Sequence, residues 1–120
     1  MLNQIKDKLR EVSDLVYYGE ADEIEPNVLW NYVVFWRGRT RRNENNTGFT
    51  HGYKVAIVNE EWVPEELIDS VIEKIESLPG MRLSSEDITF EYTRKPSTNA
   101  VLEIAIVSFS RARKKGLAHG

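Results

Sequence analysis

Residues 29–37 read LWNYVVFWR, and how this stretch is read decides the fold. Aromatic and β-branched side chains fill it, and at this length only a strand suits them. Successive side chains of a strand point to opposite sides of its sheet. Leu29, Val33 and Phe35 then share one side, while Trp30, Tyr32, Val34 and Trp36 share the other, so neither side reads as facing water. Val101 to Phe109 repeats the pattern, with Leu102, Ile104 and Ile106 opposite Val101, Ala105, Val107 and Phe109, and only Glu103 interrupting. Two helices of ordinary length cover one face of a four-stranded sheet, which leaves a second apolar face to account for. Either the sheet bends or splits to bury both faces within one chain, or another copy covers the second face. In the latter case Trp30, Tyr32 and Trp36 are the expected subunit contacts, because large aromatics dominate buried contact area.

Working outward, Leu2, Ile5, Leu9, Val12 and Val16 recur in steps of three and four, predicting an amphipathic helix that stops near Tyr18. An acidic connector follows, from Gly19 to Asn27. After the first strand, residues 37–52 contain Arg, Asn, Thr and Gly without an apolar pattern, which predicts a long, mobile polar loop. Tyr53 to Val58 reads as a second strand, antiparallel to the first. Pro64, Glu65 and Glu66 open a helix with proline in its first turn and acids at the positive end of its dipole. Its stripe is Leu67, Ile68, Val71, Ile72, Ile75 and Leu78, and Pro79-Gly80 stops it. Ile88, Phe90 and Tyr92 alternate with Thr89, Glu91 and Thr93 as a half-buried strand, and the turn KPSTN leads to the fourth strand at Val101. The expected fold is a single α+β domain spanning 1–120, in the order α-β-β-α-β-β, with two helices on a mainly antiparallel four-stranded sheet and a flexible tail at 114–120.

Composition excludes several classes of function. There is no cysteine in the 120 residues, so a disulfide scaffold, a thiolate nucleophile and a cysteine-ligated zinc are ruled out. No apolar run approaches the ~20 residues of a membrane span, and the first dozen residues lack the apolar block of a secretory leader, so the chain is expected to be cytoplasmic when made. A net charge of −3 argues against a surface built throughout to hold nucleic acid. His51 and His119 have no second histidine at a metal-ligand spacing. Gly38, Gly48 and Gly52 do not join a strand to a helix as a phosphate loop requires, and Ser108 and Ser110 lack a nucleophile elbow. Glu60, Glu61, Glu65 and Glu66 flank a helix start, where acids are favoured electrostatically. Asp87, Glu91 and Lys95 lack the close acid-x-lysine pair of a nuclease. The expectation is therefore no enzyme, no catalytic residue, no metal and no cofactor.

Charge is nevertheless segregated. Glu20, Asp22, Glu23 and Glu25 occur without a base between them, whereas Arg37, Arg39, Arg41 and Arg42 crowd together shortly after, and Arg111, Arg113, Lys114 and Lys115 form a second basic cluster. Both basic clusters follow the C-terminal ends of strands. If those strands run the same way, the clusters form one rim able to meet phosphates or acids, with arginine suited to bidentate contacts. If not, they are a solvated loop and a solvated tail.

The string LPGMRLSSEDITFEYTRKPSTNAVLEIAIVSFSRARK at 78–114, with YKVAIV at 53–58, resembles the tail-terminator proteins of long-tailed bacteriophages, also called tail completion or tail-to-head joining proteins. The most telling pieces are the PG helix stop, the acidic-aromatic strand DITFEY and the closing strand that runs into SFSRARK, and the matching layout spans nearly the whole chain. The resemblance implies a structural protein that forms a homo-oligomeric ring, usually of six, on the tail tube. The ring stops polymerisation of the tube and offers a joining surface to the head. Implied partners are the tail tube protein and the head–tail connector or stopper, and no membrane is involved. Assembly would take place in the host cytoplasm and the final location would be the virion tail. DNA would pass through the ring without sequence-specific binding, in keeping with a ring of chains that each carry −3. The Arg37 to Arg42 segment is expected to dock on the tube or on a neighbouring subunit. The competing readings are a head-side connector or stopper subunit, and a small nucleic-acid-binding module in which the basic rim and Trp36 or Tyr53 contact a strand.

Overall fold

A computed structural model describes residues 1–43 and 48–114. In chain order the elements are α1 (Leu2–Arg10), β1 (Val16–Tyr18), β2 (Tyr32–Arg42), β3 (Gly48–Glu60), α2 (Glu65–Glu76), β4 (Met81–Leu83), β5 (Thr89–Arg94) and β6 (Val101–Lys114). The α+β character and the two helices are as expected, but the sheet has six strands and is mixed. Its order is β1-β2-β3-β6-β4, and β5 also pairs with β6. Only the β1–β2 pairing is parallel. The two unexpected strands, β1 and β4, are three residues each, too short to leave a periodic signature.

The first helix ends earlier than its apolar stripe suggests. It stops at Arg10, the N–H groups of Val12 and Ser13 bond Leu9 O at 3.0 Å, and Ser13 Oγ donates to Leu15 O at 3.0 Å. Val16 therefore starts β1 rather than closing the helical face, in keeping with the strand preference of the run Val-Tyr-Tyr. In the second helix Pro64 is the N-cap residue, extended at ψ 141, and Glu65 and Glu66 form the first turn. Gly80 takes a left-handed φ of 76° after this helix, a conformation that costs glycine no steric penalty.

Both helices lie on one face of the sheet, the first face. There Val33 and Phe35 of β2, Tyr53, Val55 and Ile57 of β3, and Ala105, Val107 and Phe109 of β6 pack with Ile5, Leu9, Ile68, Val71 and Ile75. Glu103 interrupts this apolar set for a reason: its carboxylate accepts from Val63 N–H at 2.7 Å and Tyr92 O–H at 2.8 Å, tying β6 to the start of α2 and to β5. Strand β5 is exposed at all six positions rather than half-buried, because it lies at the sheet edge.

The polar stretch at 37–52 differs most from expectation. Arg37–Arg42 continue β2, Gly48–Gly52 begin β3, and Ser110–Lys114 of β6 pair with Gly48–Gly52. The result is a three-stranded arm that extends the sheet, within a molecule of 51 × 25 × 24 Å, where a loop was anticipated. Backbone pairing in register with two neighbours builds the arm, so it needs no apolar alternation. Residues 44–47 of the anticipated loop and 115–120 of the anticipated tail, Lys115 included, lie outside the described residues, while Lys114 is the last residue of β6.

Between Arg37 and Thr40 the register shifts, so that Gly38 and Arg39 oppose the single residue Gly52. A Cβ on Gly52 would stand 2.9 Å from Arg39 O and 3.2 Å from Arg39 N, whereas one on Gly38 would meet nothing closer than 3.5 Å. Gly52→Ala should therefore destabilise the protein by about 1–3 kcal/mol, with Gly38→Ala near neutral, as read from denaturation midpoints. Equal effects would show that the bulge is not packed on Gly52.

Candidate functional site

β2 and β6 are both antiparallel to β3 and so run the same way, which brings both basic clusters to one end of the sheet. The bulge then divides the arginines between the two faces. Three cross-strand rows continue the first face beyond the core: Arg37, Tyr53 and Phe109; Thr40, His51 and Arg111; Arg42, Phe49 and Arg113. Arg41 pairs with Thr50 on the opposite, second face, where Arg39 also lines a hollow. Among the four arginines expected to act together, Arg37 and Arg42 are thus separated from Arg39 and Arg41.

On the first face a furrow of about 470 Å³ opens between the arm and the start of α1, lined by Arg37, Thr40, His51, Arg111 and Arg113. Thr40 Oγ1 and His51 Nδ1 are 3.1 Å apart, and the Arg42 guanidinium lies 5.9 Å from the centre of the Phe49 ring. Burial, then the charges of Arg113, Arg111 and Arg37, push the His51 imidazole below its ordinary pKa. The second-face hollow, about 290 Å³, differs in carrying its own counter-charge. Lys54 Nζ donates to Glu86 Oε2 at 2.8 Å and to Ser108 Oγ at 3.0 Å, and these groups sit beside Arg39 and Arg41. The Lys54 hydrogen bond, with help from Ser108 and Arg39, holds the Glu86 carboxyl below its usual range.

The second face of the sheet body is neither bent on itself nor bare. The acidic connector returns across it as a strap. Gly19 N–H bonds Phe35 O at 2.9 Å, and residues 20–31 form no helix or strand. Ala21, Asp22, Ile24 and Pro26 then line a hollow with Trp30 and Tyr32. At its far end the strap is clamped. Trp30 N–H donates to Glu60 Oε1 at 3.1 Å, Trp30 Nε1–H donates to Glu25 O at 2.9 Å, and Lys95 Nζ donates to both Glu60 Oε1 and Val28 O. Lys95 is only 4% exposed and lies 5.5 Å from the centre of the Trp30 ring. Edge-on aromatic contacts join Trp30 to Tyr32 and Tyr32 to Tyr17. Beneath this cover Val34, Ala56 and Val58 are buried, while Trp30, Tyr32, Trp36, Ile104 and Ile106 stay half-buried. Trp30, expected at a subunit contact, is thus engaged mainly within its own chain.

Lys95 was legible in the sequence only as a poor nuclease lysine. Its partners stand 35 and 67 residues away, beyond any local pattern. Leu29 and Trp62, each 64% exposed, are the most exposed large apolar side chains among the described residues. The sequence signal for Trp62 is an indole outside every stripe, between Glu61 and the proline that precedes α2. Among the described residues no group of three or more His, Cys, Asp or Glu is placed to hold a metal, and no helix is long and apolar enough to cross a membrane. No protein-family model matches the chain, and no curated protein matches it.

Two outcomes are expected. The Lys95 and Trp30 contacts hold the Glu60 carboxyl below its ordinary pKa, so their stabilisation is complete above the unfolded value and is lost as pH falls through the lowered folded one. Lys95→Met should lower the melting temperature near neutrality, flatten the acid limb of the stability profile, and speed hydrogen exchange at Trp30 N–H. An unchanged acid limb would show that the clamp does not couple to folding. Separately, Arg113→Ala should raise the His51 pKa toward its ordinary value in an NMR titration, and a fall would mean that the furrow is not a region of shared positive potential.

Proposed function

We propose that this chain is a structural subunit of a bacteriophage or prophage tail, of the tail-terminator kind, forming a ring that caps the tail tube, stops its polymerisation and presents the joining surface for the head. The arginine arm is the observation that supports this reading most. Exposed guanidiniums stand on both of its faces, and it extends past the helix layer that makes the core. Such an arm presents oriented charge beyond the core to something outside it. The half-buried aromatics Tyr32 and Trp36, together with the exposed Leu29 and Trp62, leave apolar surface for further contacts. The reading assigns a ring of six, the tail tube protein and the head–tail connector or stopper as partners, the virion tail as final location, and passage of DNA without sequence-specific contact. It assigns no catalysis and no cofactor.

One observation favours a second reading, a nucleic-acid-binding module. Phe49 stands between Arg42 and Arg113 in a single cross-strand row, an aromatic flanked by two phosphate-binding side chains.

Arg39→Glu with Arg41→Glu should leave the circular dichroism spectrum of the folded chain unchanged, lower its melting temperature only modestly through like charge beside Glu86, and abolish joining of heads to tails in the phage that encodes the chain. Unchanged infectivity rejects the assignment of these two arginines to docking. Rings at tube ends in electron micrographs support the tail reading. Micromolar, steeply salt-dependent DNA binding by a monomer supports the other.

A further inference from the structure

The two faces of the arm differ in how their charge is balanced, and this difference selects an occupant for one of them. In the second-face hollow Glu86 already supplies a carboxylate beside Arg39, Arg41 and Lys54. In the first-face furrow Arg37, Arg111 and Arg113 converge around His51 with no carboxylate among the described lining residues. Burial first, and then the charges of these three arginines, hold the imidazole pKa below its ordinary value.

Elsewhere on the same chain the strap has the opposite composition. Glu20, Asp22, Glu23 and Glu25 are all exposed, and among the described residues none of them takes part in an ion pair. The strap lies on the second face, held at one end by Gly19 and at the other by the Lys95 clamp, whereas the furrow opens on the first. One molecule cannot bring the two together, but two molecules can.

We propose that the furrow formed by Arg37, His51, Arg111 and Arg113 receives the acidic strap, Glu20 to Glu25, of a second copy of this chain, so that copies join head to tail. The proposal rests on the ring reading above and deepens it by naming the pair of surfaces that meet. Scale supports it. Arg37 and Arg111 sit two strands and one row apart, roughly 12 Å, and Arg111 and Arg113 are about 7 Å apart along one strand. An extended strap spans roughly 16 Å from Glu20 to Glu25, so two or three carboxylates can face three guanidiniums. Arginine forks suit carboxylates in bidentate geometry. Each chain brings one furrow and one strap on different surfaces, and such a heterologous contact closes into a ring when its rotation closes. The groups are exposed, so single pairs are weak, and the contact depends on several acting together and loosens with salt.

A charge-swap experiment on the full-length chain tests this. One variant carries Arg111→Glu and Arg113→Glu, and the other Glu20→Lys, Asp22→Lys, Glu23→Lys and Glu25→Lys. Both are checked for an unchanged circular dichroism spectrum and melting temperature, and masses are read by light scattering at low salt. Wild type should associate into a discrete ring. Each variant alone should associate at least tenfold more weakly, because its furrow and its strap now repel. An equimolar mixture should recover the wild-type mass, since each variant's furrow then matches the other's strap. A ring unaffected by either variant, or a mixture that fails to recover, overturns the pairing and leaves the ring reading standing. Wild type that stays monomeric at every concentration overturns both. Tight binding of duplex DNA by monomeric wild type, lost in the Arg111→Glu, Arg113→Glu variant, also overturns the pairing, because it makes phosphate the occupant of the furrow.

Discussion

The structure depends on one uninterrupted ladder. Every residue of β3 from Gly48 to Glu60 pairs with β6 from Leu102 to Lys114, without a bulge. Inside the body this ladder aligns Val55 with Val107 and Ile57 with Ala105, the centre of the core. Beyond the body the same ladder carries Phe49, His51, Arg111 and Arg113 into the arm. Core and arm are therefore one mechanical piece, and the geometry of the basic end inherits its precision from apolar packing some distance away.

β2 joins this piece on different terms. It matches β3 through the core and then slips by one residue at Gly38 and Arg39. Because side chains alternate between faces, a slip of this kind changes which arginines look which way. Without it, Arg39 and Arg41 would share the first face with Arg37, and Arg42 would move to the second. The strap completes the arrangement by covering part of the second face with acidic chain, so that face carries acids over the sheet body and Arg39 and Arg41 on the arm, while the first-face furrow carries arginines alone.

What the sequence revealed follows from the physics of each element. α2 was legible because Ile68, Val71 and Ile75 must face a core at helical spacing, and the faces of β2 and β6 were legible because Val33 and Phe35, or Ala105, Val107 and Phe109, must alternate. The arm was not, since its strand character comes from partners rather than from its own composition, and a run of Arg, Thr and Gly looks the same in a ladder as in a loop. Val16 misled because a valine at helical spacing also suits the start of a strand. Of the candidate surfaces, the meeting of the two basic clusters at one end was visible as a condition on strand direction. The division between faces was not, because it depends on a bulge that no side chain announces. The Lys95 clamp was invisible for a related reason: it joins a hairpin turn to a distant strand and to a backbone carbonyl in the strap.

One more consequence comes from the sheet edge. β5 bonds β6 on one side only, and among the described residues no strand pairs with its other side, so its backbone donors and acceptors there have only solvent to satisfy them. Phe90 and Tyr92 beside them are exposed and strongly β-forming. An edge of this kind is a template for unintended strand addition, particularly while many copies accumulate at once. Glu91 and Arg94 act as gatekeepers there, since each copy presents charge where a stray strand would have to align. The open edge thus carries two charged side chains that, among the described residues, take part in no ion pair.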